Sequence, residues 1–150
     1  MSSLFAFLHH VAAFVLFGSL FAELMLVKQQ LNATVARTLL RLDAIYGASA
    51  MALIVFGLVR VYFTEKGAAY YLHSGTFIAK MVLFVAIGLI SIYPTRRFMA
   101  WRRDLKADAA PALDAATQGK LRQVVHLELA LLAFVVLFAV LMARGVGYFG

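Results

Sequence analysis

The chain has 150 residues, of which 64% are hydrophobic and 14% are charged, and it contains no cysteine. Soluble domains have a smaller apolar share, about 45–50%, so the composition predicts an integral membrane protein in which residues 1–150 form one transmembrane domain. The lack of cysteine excludes disulfides and thiolate-bound metals. The net charge of +7 is attributed to membrane topology and not to nucleic-acid binding, because no nucleic-acid-binding motif accompanies it.

Four apolar segments are long enough to cross a membrane, since a helix needs about 20 residues to span about 30 Å of hydrocarbon. They cover residues 4–27, 42–63, 75–93 and 124–144. The third segment is expected to end at Pro94, where a helix loses a hydrogen-bond donor. We therefore predict an all-α fold, an antiparallel four-helix bundle in up-down-up-down order.

The connections between these segments predict the orientation of the chain. Basic residues are concentrated in the connections 28–41 and 95–122, with Arg60 and Lys66 near the middle loop and only Arg144 near the termini. Since basic loops stay on the cytoplasmic side, we expect a bacterial inner-membrane protein with both termini in the periplasm. The segment 95–122 is expected to contact anionic lipids through a helical extension at Phe98 and Trp101, followed by a flexible link over 108–119.

The first span carries His9, His10 and Glu23. At 100° per residue, His9 and Glu23 lie within about 40° of each other around the helix, whereas His10 points elsewhere. The spacing predicts that His9 faces the interior of the bundle.

Lys80 lies about one turn inside the apolar third span, where a charge costs roughly 2.5–3.5 kcal/mol on insertion scales and usually marks a functional site. His73 lies seven residues earlier and is expected to share its face. In the fourth span, His126 and Glu128 are two residues apart, so they point about 160° apart and are not expected to ligate one metal.

The predicted topology sorts the ionisable residues by depth into two groups. The outer group comprises His9, His10, Arg60, His73, Lys80 and Arg144. The inner group comprises Glu23, Arg41, Asp43, His126 and Glu128. The cationic outer group suits an anionic ligand such as a porphyrin with propionates, and the acidic inner group suits proton transfer or a cation.

Two simpler interpretations remain open for these residues. Charged residues at the span ends, such as Arg60, also occur where a side chain merely snorkels to the membrane interface. Glu23 and Asp43 would equally suit structural ion pairs with Arg41 or Lys28.

The order of several residues resembles that of the HemJ-type protoporphyrinogen oxidases, which are small bacterial four-helix membrane proteins. The matching residues are Leu8-His9, Gly18, Phe56-Gly57, Ala79-Lys80, Glu128 and Arg144. The resemblance implies haem b as cofactor and assigns the functional histidine and lysine of that family to His9 and Lys80. A comparable helical plan is found in copper-resistance D-type proteins.

The chain is also similar to an uncharacterised bacterial family of four-helix membrane proteins. The residues that carry this similarity are Asp43-Ala44-Ile45-Tyr46-Gly47, Gly57-Leu58-Val59-Arg60, Lys66-Gly67 and Ser91-Ile92-Tyr93-Pro94-Thr95. The similarity implies the four-helix plan and no particular activity.

Three hypotheses about function follow. The first is a haem-b membrane oxidoreductase in which His9 ligates iron, His73 or His10 is an alternative second ligand, and Arg60 and Lys80 bind propionates or an anionic substrate. Lys80, Glu23, Asp43 and Glu128 are its candidate catalytic residues, and a porphyrin or a quinone is its expected partner. The second is a transport protein for protons or metal ions, in which His9, Glu23, Asp43, His126 and Glu128 mark a path across the bilayer. The third is a non-catalytic scaffold subunit, for which a homo-oligomer is one arrangement.

Overall fold

The computed structural model describes residues 2–64, 67–107 and 109–149, and this part of the chain is helical apart from short connections and one isolated β-bridge. The helices are α1 (Ser2–Val27), α2 (Ala33–Val59), α3 (Ala68–Leu72), α4 (Gly75–Ala100), α5 (Arg102–Lys106) and α6 (Ala115–Ala143). A π-helical turn, Arg60–Thr64, extends α2. Positions Glu65, Lys66 and Asp108, which belong to predicted connections, lie outside the described residues.

Four of these helical segments are long and apolar enough to cross a membrane. They are Ser3–Val27, Ala33–Phe63, Gly75–Lys106 and Ala115–Ala143. The all-α class and the four spans are thereby confirmed, while the up-down order of the bundle stays a prediction. Large apolar side chains cover the outside of the helices, including Phe14, Val82 and Leu89, whose side chains are 77%, 62% and 65% exposed. An exposed apolar surface of this kind suits contact with lipid.

The helices α2 and α6 begin earlier than the apolar runs that predicted them. Asn32 caps α2 by accepting a hydrogen bond from the Val35 N–H at 2.9 Å. Asp114 caps α6 by accepting a hydrogen bond from the Thr117 N–H at 2.6 Å. This hydrogen bond, together with a second hydrogen bond from the Thr117 hydroxyl, holds the pKa of Asp114 below its usual value. Such caps satisfy the free N–H groups of a helix start, so residues 33–41 and 115–119 are helical and not, as expected, part of the polar connections.

The prediction that the third span ends at Pro94 is wrong. Helix α4 continues to Ala100, with Pro94 buried inside it. Proline removes one backbone hydrogen bond, but the next turn carries Phe98, which is 0% exposed, and is followed by the buried Trp101. These two rings pack together 5.1 Å apart, and their burial offsets the cost of the proline.

Two groups of buried apolar side chains hold the bundle together. The middle cluster contains Leu16, Leu20, Leu24, Tyr46, Ile87, Val125 and Leu132. The basic-end cluster contains Val27, Ala36, Leu39, Phe98, Trp101, Leu105 and Leu121. We call the end of the bundle that holds the second cluster the basic end, because the basic connections emerge there. Helix α1 packs on α2 and α6, and α4 packs on α6.

At the opposite end, which we call the terminal end, the residues after α6 pack on the start of α4. The Gly75 N–H donates to the Gly147 carbonyl at 2.9 Å, and the Thr76 hydroxyl donates to the Val146 carbonyl at 2.9 Å. The rings of Tyr70 and Tyr148 stack 4.7 Å apart. Gly147 has φ +81°, and a Cβ atom there would lie 3.1 Å from Thr76 Cγ2. This segment therefore requires glycine at position 147.

We expect Gly147→Ala to destabilise the protein by about 1–2 kcal/mol, because a side chain in the left-handed region is strained. The measurement is thermal unfolding in detergent, followed by circular dichroism. Gly119→Ala is the matched control: Gly119 lies inside α6 with nothing within 4 Å of the added Cβ, so we expect it to stabilise by roughly 0.5–1 kcal/mol. Equal unfolding temperatures for the two variants would contradict this account.

Candidate functional site

Three carboxyl groups from three different helices are buried inside the bundle and interact electrostatically with one another. Glu23 of α1 is 1% exposed, Asp43 of α2 is 8% exposed and Glu128 of α6 is 0% exposed. Glu23 interacts electrostatically with both Asp43 and Glu128, and Glu128 interacts with Asp43. The Tyr46 side chain adjoins all three. We call Glu23, Asp43, Glu128 and Tyr46 the carboxyl cluster.

The sequence places these side chains inside because each occupies a position on the apolar face of its helix. Residues three or four apart lie on one helix face. Glu128 lies three residues after Val125 and four before Leu132, both of which are buried. Glu23 likewise lies three residues after the buried Leu20. Packing of these apolar faces therefore carries the carboxyl groups into the core.

The hydrogen bonds of the cluster are incomplete. Asp43 Oδ1 accepts a hydrogen bond from the Thr95 hydroxyl of α4 at 2.7 Å. Glu23 Oε1 and both side-chain oxygens of Glu128 are buried and have no hydrogen-bond partner within the described residues. A buried polar group left unpaired costs about 1–3 kcal/mol. The unpaired oxygens of the cluster therefore lower the stability of the core, which points to a role other than stability.

Three carboxylates cannot all be charged in this setting, because burial and mutual repulsion both disfavour the charged forms. The arrangement can hold protons between the carboxyl groups. Among residues 2–64, 67–107 and 109–149, no set of three or more His, Cys, Asp or Glu side chains has a geometry suited to a metal ion.

The structure separates the other predicted inner residues from this cluster. Arg41 and Lys28 are exposed, and neither forms an ion pair with Glu23 or Asp43 in the described part of the chain. The expected structural ion pairs are therefore wrong, because the cations extend toward solvent while the carboxyl groups point inward. His126 is also exposed, with Nδ1 3.2 Å from the Arg122 carbonyl oxygen.

Nearer the terminal end, two cations and one imidazole from three elements interact electrostatically. His9 of α1 interacts with Lys80 of α4 and with Arg60 of the π-helical turn, and Lys80 interacts with Arg60. The Lys80 ammonium lies 5.2 Å from the centre of the Phe77 ring. We call His9, Arg60 and Lys80 the cation cluster, after the two cations beside the histidine.

His9 contacts the neighbouring helix at a glycine. A Cβ atom at Gly57 would lie 3.4 Å from His9 Cε1, so the missing side chain lets the imidazole lie against α2. The Nδ1 atom of His9 is buried and has no hydrogen-bond partner in the described residues. An imidazole nitrogen in this state can accept a hydrogen bond or bind a ligand.

The remaining predicted outer residues do not join the cation cluster. His10 and His73 are exposed, and their Nδ1 atoms lie 2.6 Å and 2.8 Å from the carbonyl oxygens of Ala6 and Ala69. The expectation that His73 and Lys80 share a helix face is wrong, because His73 ends α3 and α4 begins only after it. Arg144 is exposed at the end of α6.

Sequence analysis assigned no role to Tyr46 or Thr95. The spacing of Asp43 and Tyr46, three residues apart, was a signal that both lie on one face of α2. No comparable signal existed for Thr95, because its contact with Asp43 depends on how α4 is rotated against α2.

We expect Thr95→Val to destabilise the protein by about 1–3 kcal/mol, because the buried Asp43 oxygen loses its donor. The measurement is the unfolding temperature in detergent. Thr38→Val serves as the matched control, since that hydroxyl bonds only to the Thr34 carbonyl oxygen of its own helix, at 2.9 Å. Equal effects of the two substitutions would show that the contact between α2 and α4 contributes nothing to stability.

Comparison with known proteins identifies a family but no characterised relative. No curated protein and no solved structure matches the chain. The family DUF2214, described as a predicted membrane protein, matches residues 1–147. This match covers all four long helices and both clusters. The chain therefore belongs to the DUF2214 family of predicted membrane proteins.

Proposed function

We propose that this protein handles protons within the membrane and that the carboxyl cluster is where it binds them. The observation that carries the proposal is the burial of Glu23 Oε1 and both Glu128 oxygens without hydrogen-bond partners in the described residues. A charged carboxylate in such a site is strongly disfavoured, and a proton removes that charge. Intramembrane carboxyl groups of this kind are typical of proton relays in pumps and transporters.

The position of the cluster favours proton exchange from the basic end. Glu23 lies four residues before the end of α1 at Val27, which is about 6 Å at 1.5 Å per residue. Asp43, at 8% exposed, is the most accessible of the three carboxyl groups, and its Thr95 partner lies in the part of α4 that leads to the basic end. Asp43 is therefore the expected entry point for protons.

An apolar layer separates the carboxyl cluster from the terminal end. Glu23 and His9 are fourteen residues apart on α1, which is about 21 Å along the helix axis. Between them, Leu16 and Leu20 are 1% and 0% exposed. Protons that reach the carboxyl cluster from the basic end would thus need the packing of Leu16 and Leu20 to change before they could move on toward the terminal end. The arrangement supports controlled proton movement and not an open channel.

We expect Glu128→Gln and Glu23→Gln to lower proton flux at least tenfold, because a carboxamide keeps the shape of the side chain but cannot exchange a proton. The measurement uses protein in liposomes with an internal pH-sensitive dye and an imposed membrane potential. Asp104→Asn and Asp114→Asn, which alter exposed carboxyl groups, are the matched controls. Infrared spectroscopy of the same variants reports directly on a buried protonated carboxyl band.

The outcome that would contradict the proposal is a flux or an infrared carboxyl band that is unchanged in both buried variants. Loss of flux in the exposed controls to the same extent would also contradict it, because the effect would then follow surface charge. A normal fold by circular dichroism is the condition for comparing the variants.

A second candidate function is haem-b-dependent oxidoreduction of the protoporphyrinogen oxidase type, and His9 is the observation that favours it. The unpaired Nδ1 of His9 suits an iron ligand, and Arg60 and Lys80 suit the propionates. Haem b would supply one-electron redox chemistry when bound, while these three residues would hold and orient it. His10 and His73 are exposed on other surfaces, so neither is favoured as a second ligand.

We expect His9→Ala to abolish any haem absorption, because the variant lacks the proposed iron ligand. The measurement is the absorption spectrum of detergent-purified protein, oxidised and then reduced with dithionite, after expression with sufficient haem. His10→Ala is the matched control, since it removes the exposed neighbouring imidazole. A folded wild-type protein with no Soret band, or a band that survives His9→Ala, would overturn this second candidate without affecting the proton proposal.

A further inference from the structure

A groove of ≈ 470 Å³ lies at the basic end, between α2 and α5. Its walls are formed by Arg37, Leu40, Arg41, Ala44, Arg102, Leu105 and Lys106. Four of these residues are cationic and three are apolar, and none of the described residues that line the groove is acidic. The groove therefore combines a concentrated positive charge with an apolar surface.

The two walls of the groove are fixed relative to each other by helix geometry and by a hydrogen bond. On α2, Arg37, Arg41 and Ala44 are spaced four and three residues apart, so they share one face. On α5, Arg102 and Lys106 are four residues apart and share another. Arg37 Nη2 donates to the Leu105 carbonyl oxygen at 3.4 Å, which ties the start of α2 to α5. The cations thus converge on one space.

We propose that this groove binds the phosphate group of an anionic phospholipid. Arginine side chains bind phosphate oxygens through several N–H donors, and lysine adds a point charge. Arg41, Arg102 and Lys106 are exposed, so their charges repel one another across the groove unless an anion lies between them. A phosphate group balances that repulsion.

The apolar residues of the groove favour a lipid over free phosphate. Leu40, Ala44 and Leu105 offer no group that binds an oxyanion, but they provide a surface on which the first carbons of an acyl chain can lie. The two walls belong to the segments Ala33–Phe63 and Gly75–Lys106, which are long and apolar enough to cross a membrane, and α5 is the last turn of the second. The groove therefore opens where these segments leave the hydrocarbon. Basic pockets between membrane helices are known sites for anionic head groups.

The experiment measures lipid binding to the full-length, delipidated protein by native mass spectrometry, with phosphatidylglycerol and phosphatidylcholine as probes. We expect preferential binding of phosphatidylglycerol and a roughly 30-fold weaker affinity in Arg102→Gln/Lys106→Gln, since each cation near an anionic lipid contributes about a factor of five. Arg96→Gln/Arg103→Gln is the matched control, because both residues are exposed cations of the same region outside the groove.

Arg41→Gln tests the opposite wall independently, with roughly a fivefold loss expected, so the proposal stays testable if the double variant does not fold. Equal affinity for both lipids, or equal loss in the groove and control variants, would overturn the proposal. An affinity for inorganic phosphate as high as that for phosphatidylglycerol would also overturn it, because the apolar residues of the groove would then contribute nothing to binding. Proton flux measured on the same variants separates this inference from the proposed function.

Discussion

The central constraint on this molecule is that three carboxyl groups are buried in an apolar bundle, where no cation among the described residues forms an ion pair with them. Glu23, Asp43 and Glu128 come from α1, α2 and α6, so the same packing that buries Leu20 and Val125 also buries the acids. Replacing them with apolar residues would relieve an unfavourable arrangement, since unpaired buried polar groups lower stability. Burial of these acids therefore lowers stability, and a proton on a buried carboxyl group reduces that cost by removing its charge.

The charges of the protein are separated along the bundle axis, and this separation determines what each cluster needs. His9 and Glu23 are about 21 Å apart along α1, with the buried Leu16 and Leu20 between them. At that distance the cation cluster does not neutralise the carboxyl cluster. The two clusters are therefore separate electrostatic environments within one bundle.

Hydropathy was sufficient to predict the number of long helices and their approximate positions, because a span of about 20 apolar residues has few alternatives. It was insufficient for the helix ends. The caps Asn32 and Asp114 start α2 and α6 in polar sequence, and α4 passes Pro94 because Phe98 and Trp101 pack in the core. These features depend on single hydrogen bonds and on tertiary packing. Hydropathy averaged over a window of residues contains information on neither.

The sequence predicted those features of the candidate site that depend on how deep each ionisable residue lies in its membrane span. Depth placed Glu23, Asp43 and Glu128 in one group, and periodicity distinguished His9 from the exposed His10. Depth does not say in which direction a side chain points, because packing determines how each helix is rotated about its axis. Depth therefore grouped His126 and Arg41 with the acids, although both side chains are exposed. The predicted common face of His73 and Lys80 required one continuous helix from residue 73 to residue 80. The structure instead places His73 at the end of α3 and Lys80 in α4.

The scaffold interpretation depended on the buried charges being paired, and the geometry removes that support. Arg41 and Lys28 are the cations nearest in sequence to Asp43 and Glu23, yet both are exposed. On α2, Arg41 and Asp43 are two residues apart and so point about 160° apart, one into the groove and the other into the core. One helix thus presents a cation to the membrane interface and an acid to the bundle interior. The two charges are kept apart by helix geometry alone, so the carboxyl group in the core and the cation in the groove lie in separate environments of the same helix.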